Sequence, residues 1–196
     1  IIVHMLKLGT AKNVMAGGKT RKWPTSELES YSYWCDRIDK AFSTNETMML
    51  RIQRMKAMMG YPSKEVYAKK LFDSITDKCI LFANTQQQAE KLCKHSYHSE
   101  NPDSEDNLLK FKVGVISKLS AVLQLNEGVN IPELRQGIIL HAYGNERKSS
   151  QRIGRLLRLN PNETAIVHIL CYEGTVDESW VKSALSVFDQ TKIIYK

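Results

Sequence analysis

The sequence predicts an α/β protein: a parallel sheet with helices on both faces, preceded by a helical connector. Three observations carry this reading. After Ile75, short apolar runs alternate with amphipathic stretches, the rhythm of strands that cross over through helices into a parallel sheet. Before Ile75, apolar residues recur mainly at helical spacing. Charge divides at the same place, with 13 Lys/Arg against 7 Asp/Glu up to Ile75 and 15 against 14 beyond it, so +6 of the formal +7 lies in the first part.

Each element has a local signal. Residues 1–8 are a short, partly β-branched apolar run and read as a strand, while residues 9–24 are Gly- and Lys-rich without period and read as a loop. A helix is expected from Thr25 or Ser26, with Leu28, Tyr31, Trp34, Ile38 and Phe42 on one face. A second, over 46–59, repeats the period through Met49, Ile52, Met55 and Met59 and is stopped by Gly60 and Pro62. A third starts at Ser63, whose hydroxyl can cap it, and runs through Val66, Ala68 and Leu71 to about Ser74. Further strands are expected over 79–83, 96–98, 119–125, 136–141 and 165–171. Helices are expected over 85–94, 103–112, 148–157 and 176–188, the last opened by Thr175 and Glu178 in a capping-box arrangement. The domain boundaries that follow are 1–8, 9–75 and 76–196. In parallel sheets ligands collect at the carboxyl ends of the strands, so the loops there are where chemistry is sought.

Several function classes are excluded. With 196 residues and 42% hydrophobic content the chain suits one domain plus an extra element. Its longest apolar runs fall far short of the roughly 18 residues a membrane span needs. It opens on Ile1 without a signal-peptide pattern, which reads as a start inside a longer protein. Cys35, Cys79, Cys93 and Cys171 lie far apart, with no metal-ligand spacing; Cys79, Cys93 and Cys171 sit in apolar segments and suit buried thiols in a reducing compartment, cytoplasmic or nucleoid-associated. The string Gly17, Gly18, Lys19, Thr20 fails as a phosphate loop because Asn13 stands where its first Gly belongs and Pro24 follows where a helix should open. Asp177 and Glu178 follow Gly174 and Thr175 at a helix start, rather than ending an apolar strand as a magnesium-binding acid pair would. No nucleophile, acid-base pair or dinucleotide fingerprint supports a small-molecule enzyme. The basic first part suits a polyanion, whose counterions Lys and Arg release, or simply a solvated surface.

The informative string is QRIGRLLR, residues 151–158. On a helix Gln151, Arg155 and Arg158 share one face, and two guanidinium groups there form a permanently charged clamp for phosphate. From periodicity alone, a basic surface helix with Ile153 and Leu157 turned inward is the favoured reading. QRIGRLLR resembles motif VI of superfamily 2 helicases, and the segments before it match that family's second RecA-like domain in order. KCILFANTQQQAEKLC, residues 78–93, is similar to motif IV; Tyr97, His98 and Ser99 resemble the next strand end; LNEGVNIP, residues 125–132, resembles motif V of the branch with restriction-enzyme and DNA-repair translocases.

The resemblance implies a RecA-like sheet and an ATP-dependent helicase or translocase of which this chain is the carboxyl-terminal half. ATP and magnesium would be held mainly by a first RecA-like domain preceding Ile1, from which residues 1–8 would exit. By the same resemblance Arg155 and Arg158 are arginine fingers, Gln151 helps hold the γ-phosphate and its water, and Gly128 and Asn130 touch the nucleotide. Asn84, Thr85, His98 and Ser99 would contact nucleic acid, DNA rather than RNA, without reading bases; taken alone, His98 reads as an ordinary core or loop histidine. Two positions depart from the pattern. Asn130 stands where Asp is usual, and Val122 stands where many relatives carry a Thr or Ser on a phosphate, leaving that contact absent or to Ser120 or Gln124. A nucleic-acid-binding or interaction module without motor activity is the competing reading.

Overall fold

The computed structural model describes residues 1–17, 22–122, 131–142 and 164–196. In chain order its strands and helices are β1 (Ile2–Leu6), β2 (Val14–Gly17), β3 (Lys22–Thr25), α1 (Glu27–Asp39), α2 (Thr44–Met59), α3 (Pro62–Ser74), β4 (Cys79–Ala83), α4 (Gln86–Leu92), β5 (Ser96–Tyr97), α5 (Ser104–Lys112), β6 (Lys118–Val122), β7 (Gln136–Ile139), β8 (Ile166–Tyr172), α6 (Val176–Leu185) and β9 (Ile194–Tyr195). They form two compact units, Lys7–Lys64 and Ile1–Leu6 with Glu65–Lys196.

The larger unit is built on a seven-stranded sheet of order β5-β6-β4-β7-β8-β1-β9, in which every pair is parallel. β4 explains why. All five of its residues, CILFA, are buried, as a strand covered on both faces requires. Cys79, Leu81 and Ala83 meet Ala68 and Phe72 of α3 and Ala89 and Leu92 of α4. Ile80 and Phe82 belong to the opposite core, with Leu108 and Phe111 of α5 and Val181 and Leu185 of α6. From β4 the chain passes outward to β5, returns through β6, and then crosses to β7 and β8 on the other side. That reversal is the topological switch point where doubly wound sheets open a crevice at the strand ends.

Two strands are placed by distant partners. Within residues 1–8, expected to be the strand that leaves a preceding domain, β1 is an inner strand of this sheet, in register with β8 over five residues and with β9 on its other side. β9 has no counterpart in the sequence reading, because Ile194 and Tyr195 are both exposed and carry no burial pattern; backbone bonds from Ile194 N to Ile1 O (2.9 Å) and from Lys196 N to Val3 O (2.9 Å) define it. The boundary at residue 75 leaves α3 with the connector, whereas Ala68 and Phe72 lie in the sheet's core. Lys118 fixes the end of that helix, its ammonium donating to the carbonyls of Phe72 and Asp73, where a cation also meets the negative end of the helix dipole.

In the smaller unit, the stretch 9–24 expected to be loop contains an antiparallel hairpin pairing Val14 with Thr25 and Gly17 with Lys22. Gly17 in β2 and Pro24 in β3 erase the alternation that would have marked it. α1 opens with a complete capping box: Ser26 Oγ accepts from Glu29 N at 3.1 Å and Glu29 Oε2 accepts from Ser26 N at 2.9 Å. Its inward residues are Glu27 and Ser30, while Leu28 is about half exposed and Phe42, beyond the helix end, is fully exposed. Glu27 ties the unit's chain ends together. Its Oε2 accepts from Gly9 N (2.7 Å) and Ser63 Oγ (2.7 Å), and its Oε1 accepts from Ser63 N (2.8 Å). Ser63 therefore does not cap α3, which opens instead on Pro62, a residue suited to the first turn.

Candidate nucleic-acid interface

The tips of β4 and β5 carry the expected contact residues. Asn84 and Thr85 follow β4, and Thr85 caps α4, its hydroxyl accepting from Gln88 N at 3.2 Å. Gln88 in turn accepts from Asn84 N (3.3 Å) and donates to Glu65 Oε1 (3.1 Å), which locks the turn. Asn84 is buried and Thr85 is exposed. At the β5 tip, Ser104 closes the backbone of His98, its Oγ accepting from His98 N (3.0 Å) and donating to His98 O (2.6 Å). The His98 amide is thereby withdrawn from any ligand.

The His98 ring is buried, with Nε2 3.2 Å from Glu90 Oε1 of α4. That distance is within ion-pair range but off the line of a hydrogen bond, and Nδ1 has no partner among the described residues. Gln86 Nε2 donates to the exposed Ser99 Oγ at 3.4 Å, joining the two tips. Outward-facing polarity here comes from Thr85, Gln86 and Ser99, with Asn84 and His98 beneath them. Gln86 and Glu90 share a helix face, but only the placement of β5 beside α4 shows what that face meets. The spacing was legible; the target was not.

Ser120 does not supply the contact left open by Val122. It is fully buried in β6, and its hydroxyl donates to Ala89 O at 2.8 Å, holding α4 to the sheet. Gln124, Gly128, Asn130, Arg147, Lys148, Gln151, Arg155 and Arg158 lie outside the described residues. The segment just after LNEGVN is anchored: Lys78 Nζ donates to Pro132 O (2.8 Å) and Lys112 O (3.3 Å), and Ile131 is in the core.

The acid pair at the start of α6 is engaged structurally. Asp177 Oδ2 accepts from Tyr172 N at 2.9 Å and Glu178 Oε2 accepts from Gly174 N at 2.8 Å. The cap of α6 is Thr175, which accepts from Asp177 N at 3.1 Å rather than from Glu178 as a capping box would have it. Among the described residues, no group of three or more His, Cys, Asp or Glu side chains is placed to hold a metal ion. A cavity of about 560 Å³ beside α5 is lined by Glu90, Glu100, Asp103 and Asp106 against Lys94 and Lys110. That balance is unfavourable to phosphate. None of the four cysteines is in a disulfide; burial pushes the Cys79 thiol up to about 12 and raises that of Cys93, so both are poor nucleophiles.

A model of the helicase conserved C-terminal domain matches residues 63–160, half of the chain and a span that includes QRIGRLLR. The chain belongs to that family. It is a helicase C-terminal domain of superfamily 2 with a RecA-like fold. It is 30% identical over 107 residues to the DNA 3'-5' translocase XPB2 of Sulfurisphaera tokodaii, an alignment covering 52% of this chain and 24% of the relative, so the chain spans about a quarter of that protein. Among solved structures it is similar to S. cerevisiae Dbp5 bound to RNA and ADP BeF3, with a TM-score of 0.59, 15% identity, and coverage of 68% of this chain and 38% of that one. The E. coli DEAD-box protein SrmB gives a TM-score of 0.53 at 12% identity, covering 68% and 82% of the two chains. These two likenesses concern the fold of the helicase domain. No helix among the described residues is long and apolar enough to cross a membrane.

Proposed function

We propose that this helicase C-terminal domain is the second motor half of an ATP-dependent DNA helicase or translocase, working against a first RecA-like domain of the same protein. The observation that carries the reading is QRIGRLLR within the span matched by the family model. Arg155 and Arg158 are the cations that meet the γ-phosphate, Gln151 orients the attacking water, and Gly128 and Asn130 approach the nucleotide from the preceding loop. ATP, when bound with magnesium by the other half, supplies the phosphoryl transfer that drives movement. The tips of β4 and β5, with Asn84, Thr85, His98 and Ser99, hold the nucleic-acid backbone. The outward hydroxyls of Thr85 and Ser99 engage phosphates without reading sequence, with Asn84 and His98 shaping the tips beneath them. The reading places the protein in a reducing, cytoplasmic or nucleoid-associated setting.

The test is made on the longer protein. Arg155→Ala and Arg158→Ala each lower ATP turnover, by ~10³-fold on the general scale for such fingers, while the melting temperature stays within a degree or two of wild type. Loss of melting temperature in step with activity would mean that the arginines serve folding, and normal turnover in both variants removes the finger assignment. This chain by itself is expected to hydrolyse no ATP.

A further inference from the structure

We propose that the face built by Trp23, Tyr33, Trp34 and Arg37 in the unit Lys7–Lys64 is an accessory site for single-stranded nucleic acid, where a base stacks on exposed ring surface and Arg37 meets a phosphate. It lies outside the strand tips described above and rests on the reading that this protein acts on nucleic acid.

Four observations carry it. Tyr33 is the hub: its ring centroid lies 6.1 Å from Trp23 and 5.2 Å from Trp34, both edge-on. The Arg37 guanidinium lies 5.9 Å from the Tyr33 ring centroid, with Nη1 donating to the hydroxyl at 3.1 Å. Second, these rings are not the unit's core. Leu50, Met58 and Tyr61 are buried, whereas Trp23 is 38% exposed and Tyr33 and Trp34 are half-buried. Large aromatics packed edge to face with part of their surface in water are suited to receive another flat ring. Third, Arg37 is exposed and has no carboxylate partner among the described residues, so its charge is available. Fourth, Lys7–Lys64 contains 11 Lys/Arg against 5 Asp/Glu, a +6 excess that complements a polyanion.

Rings beside a positive field form the platform by which proteins hold single strands without sequence preference. A duplex offers no exposed base faces, so the pairing of rings with charge selects the unpaired strand. The hairpin β2–β3 brings Trp23 to α1, and the one-turn spacing from Tyr33 to Arg37 adds the cation on the same helix face.

The experiment measures binding of a labelled single-stranded DNA, the same strand as RNA, and a DNA duplex to the whole chain across a salt series. Trp23→Ala is expected to weaken single-strand binding roughly 5- to 150-fold with little change in salt dependence, since stacking is removed and no charge is. Trp23→Phe, which keeps a ring, loses less. Arg37→Ala, at an exposed position that leaves folding intact, lowers the slope of log K against log salt by about 0.7, the share of one phosphate on a single strand. The DNA and RNA arms show which strand the platform holds, and duplex binding is expected to change little. If Trp23→Ala and Arg37→Ala both bind like wild type while Thr85→Ala still weakens binding, the accessory site is overturned and the nucleic-acid reading stands. If the wild-type chain binds none of the three, both are overturned. If Trp23→Ala converts a self-associating chain to monomer with unchanged strand affinity, the face is a contact between copies and the proposal falls.

Discussion

Ser120 and Thr85 carry similar hydroxyls into opposite roles. Ser120→Ala removes a buried bond to Ala89 O, a carbonyl that still accepts from Cys93 N, so it is expected to cost about 1 kcal/mol of stability while leaving nucleic-acid affinity unchanged. Thr85→Ala removes a helix cap from an exposed position; about 1 kcal/mol is expected to be lost, together with nucleic-acid affinity, and Thr85→Ser restores both. Chemical denaturation and binding on the same preparations separate the two residues, and weaker binding by Ser120→Ala would return that hydroxyl to the interface. Glu27 is a third case. Its carboxylate receives three bonds from Gly9 and Ser63, and a Cβ on Gly9 would come within 3.2 Å of Glu27 Oε2. Glu27→Ala removes the carboxylate that the part-buried amides of Gly9 and Ser63 share, and a loss of about 2–4 kcal/mol is expected in the unfolding of Lys7–Lys64.

Among the elements, the turn between LNEGVN and β7 holds the one non-glycine residue with positive φ among the described residues, Glu133 at 60°. Leu134 N donates to Ile131 O at 3.4 Å across it, and Pro132 precedes the left-handed position, the arrangement of a type II turn. A side chain in that conformation costs about 1–2 kcal/mol, partly offset by the extra freedom a glycine would have in the unfolded chain. Glu133→Gly is therefore expected to raise stability by about 0.5 kcal/mol, and Glu133→Val, with its branched Cβ, to lower it by about 1 kcal/mol or more. Melting temperatures of the two variants check the sign, and a stabilising Val would contradict the turn assignment.

At the scale of the whole sheet unit, one directional chain of hydrogen bonds joins four elements. The Tyr67 hydroxyl of α3 lies 2.8 Å from His4 Nδ1 of β1, His4 Nε2 lies 2.9 Å from His168 Nδ1 of β8, His168 Nε2 lies 2.9 Å from Gln136 Oε1 of β7, and Gln136 Nε2 donates to Asp77 Oδ2 at 3.3 Å. Each imidazole donates from Nε2 and accepts at Nδ1, which requires both to be neutral. Burial, with the neighbouring His4 and Lys196 charges, lowers His168 to about 4, and burial with Lys196 lowers His4. The unfolded chain then binds more protons than the folded one below the ordinary histidine value of about 6.5. Stability is complete above that pH and declines as pH falls towards 4, by on the order of 2 kcal/mol from His168. Thermal unfolding at pH 7.5 and 5 checks this, and a His168→Gln variant is expected to flatten the dependence. Equal slopes in variant and wild type would rule out the pair as its source.

The sequence by itself determined the order of the described strands and helices from Cys79 to Val122 and from Gln136 to Leu185, a sheet covered on both faces, and the candidate contacts at the tips of β4 and β5; the helix expected over 148–157 lies outside the described residues. Those features are local: an apolar run, a cap and a turn each fall within a few residues, so spacing alone expresses them. The string QRIGRLLR was legible for the same reason. Tertiary structure decided what depends on a distant partner. It placed β1 between β8 and β9, gave the exposed β9 its register, paired β2 with β3 through Gly and Pro, and drew α3 to the sheet through Ala68 and Phe72. It also turned Ser120 inward and Ser63 towards Glu27. A hydroxyl has the same identity wherever it points; which carbonyl, carboxylate or phosphate it meets is set by chain segments tens of residues away, and no local period records them.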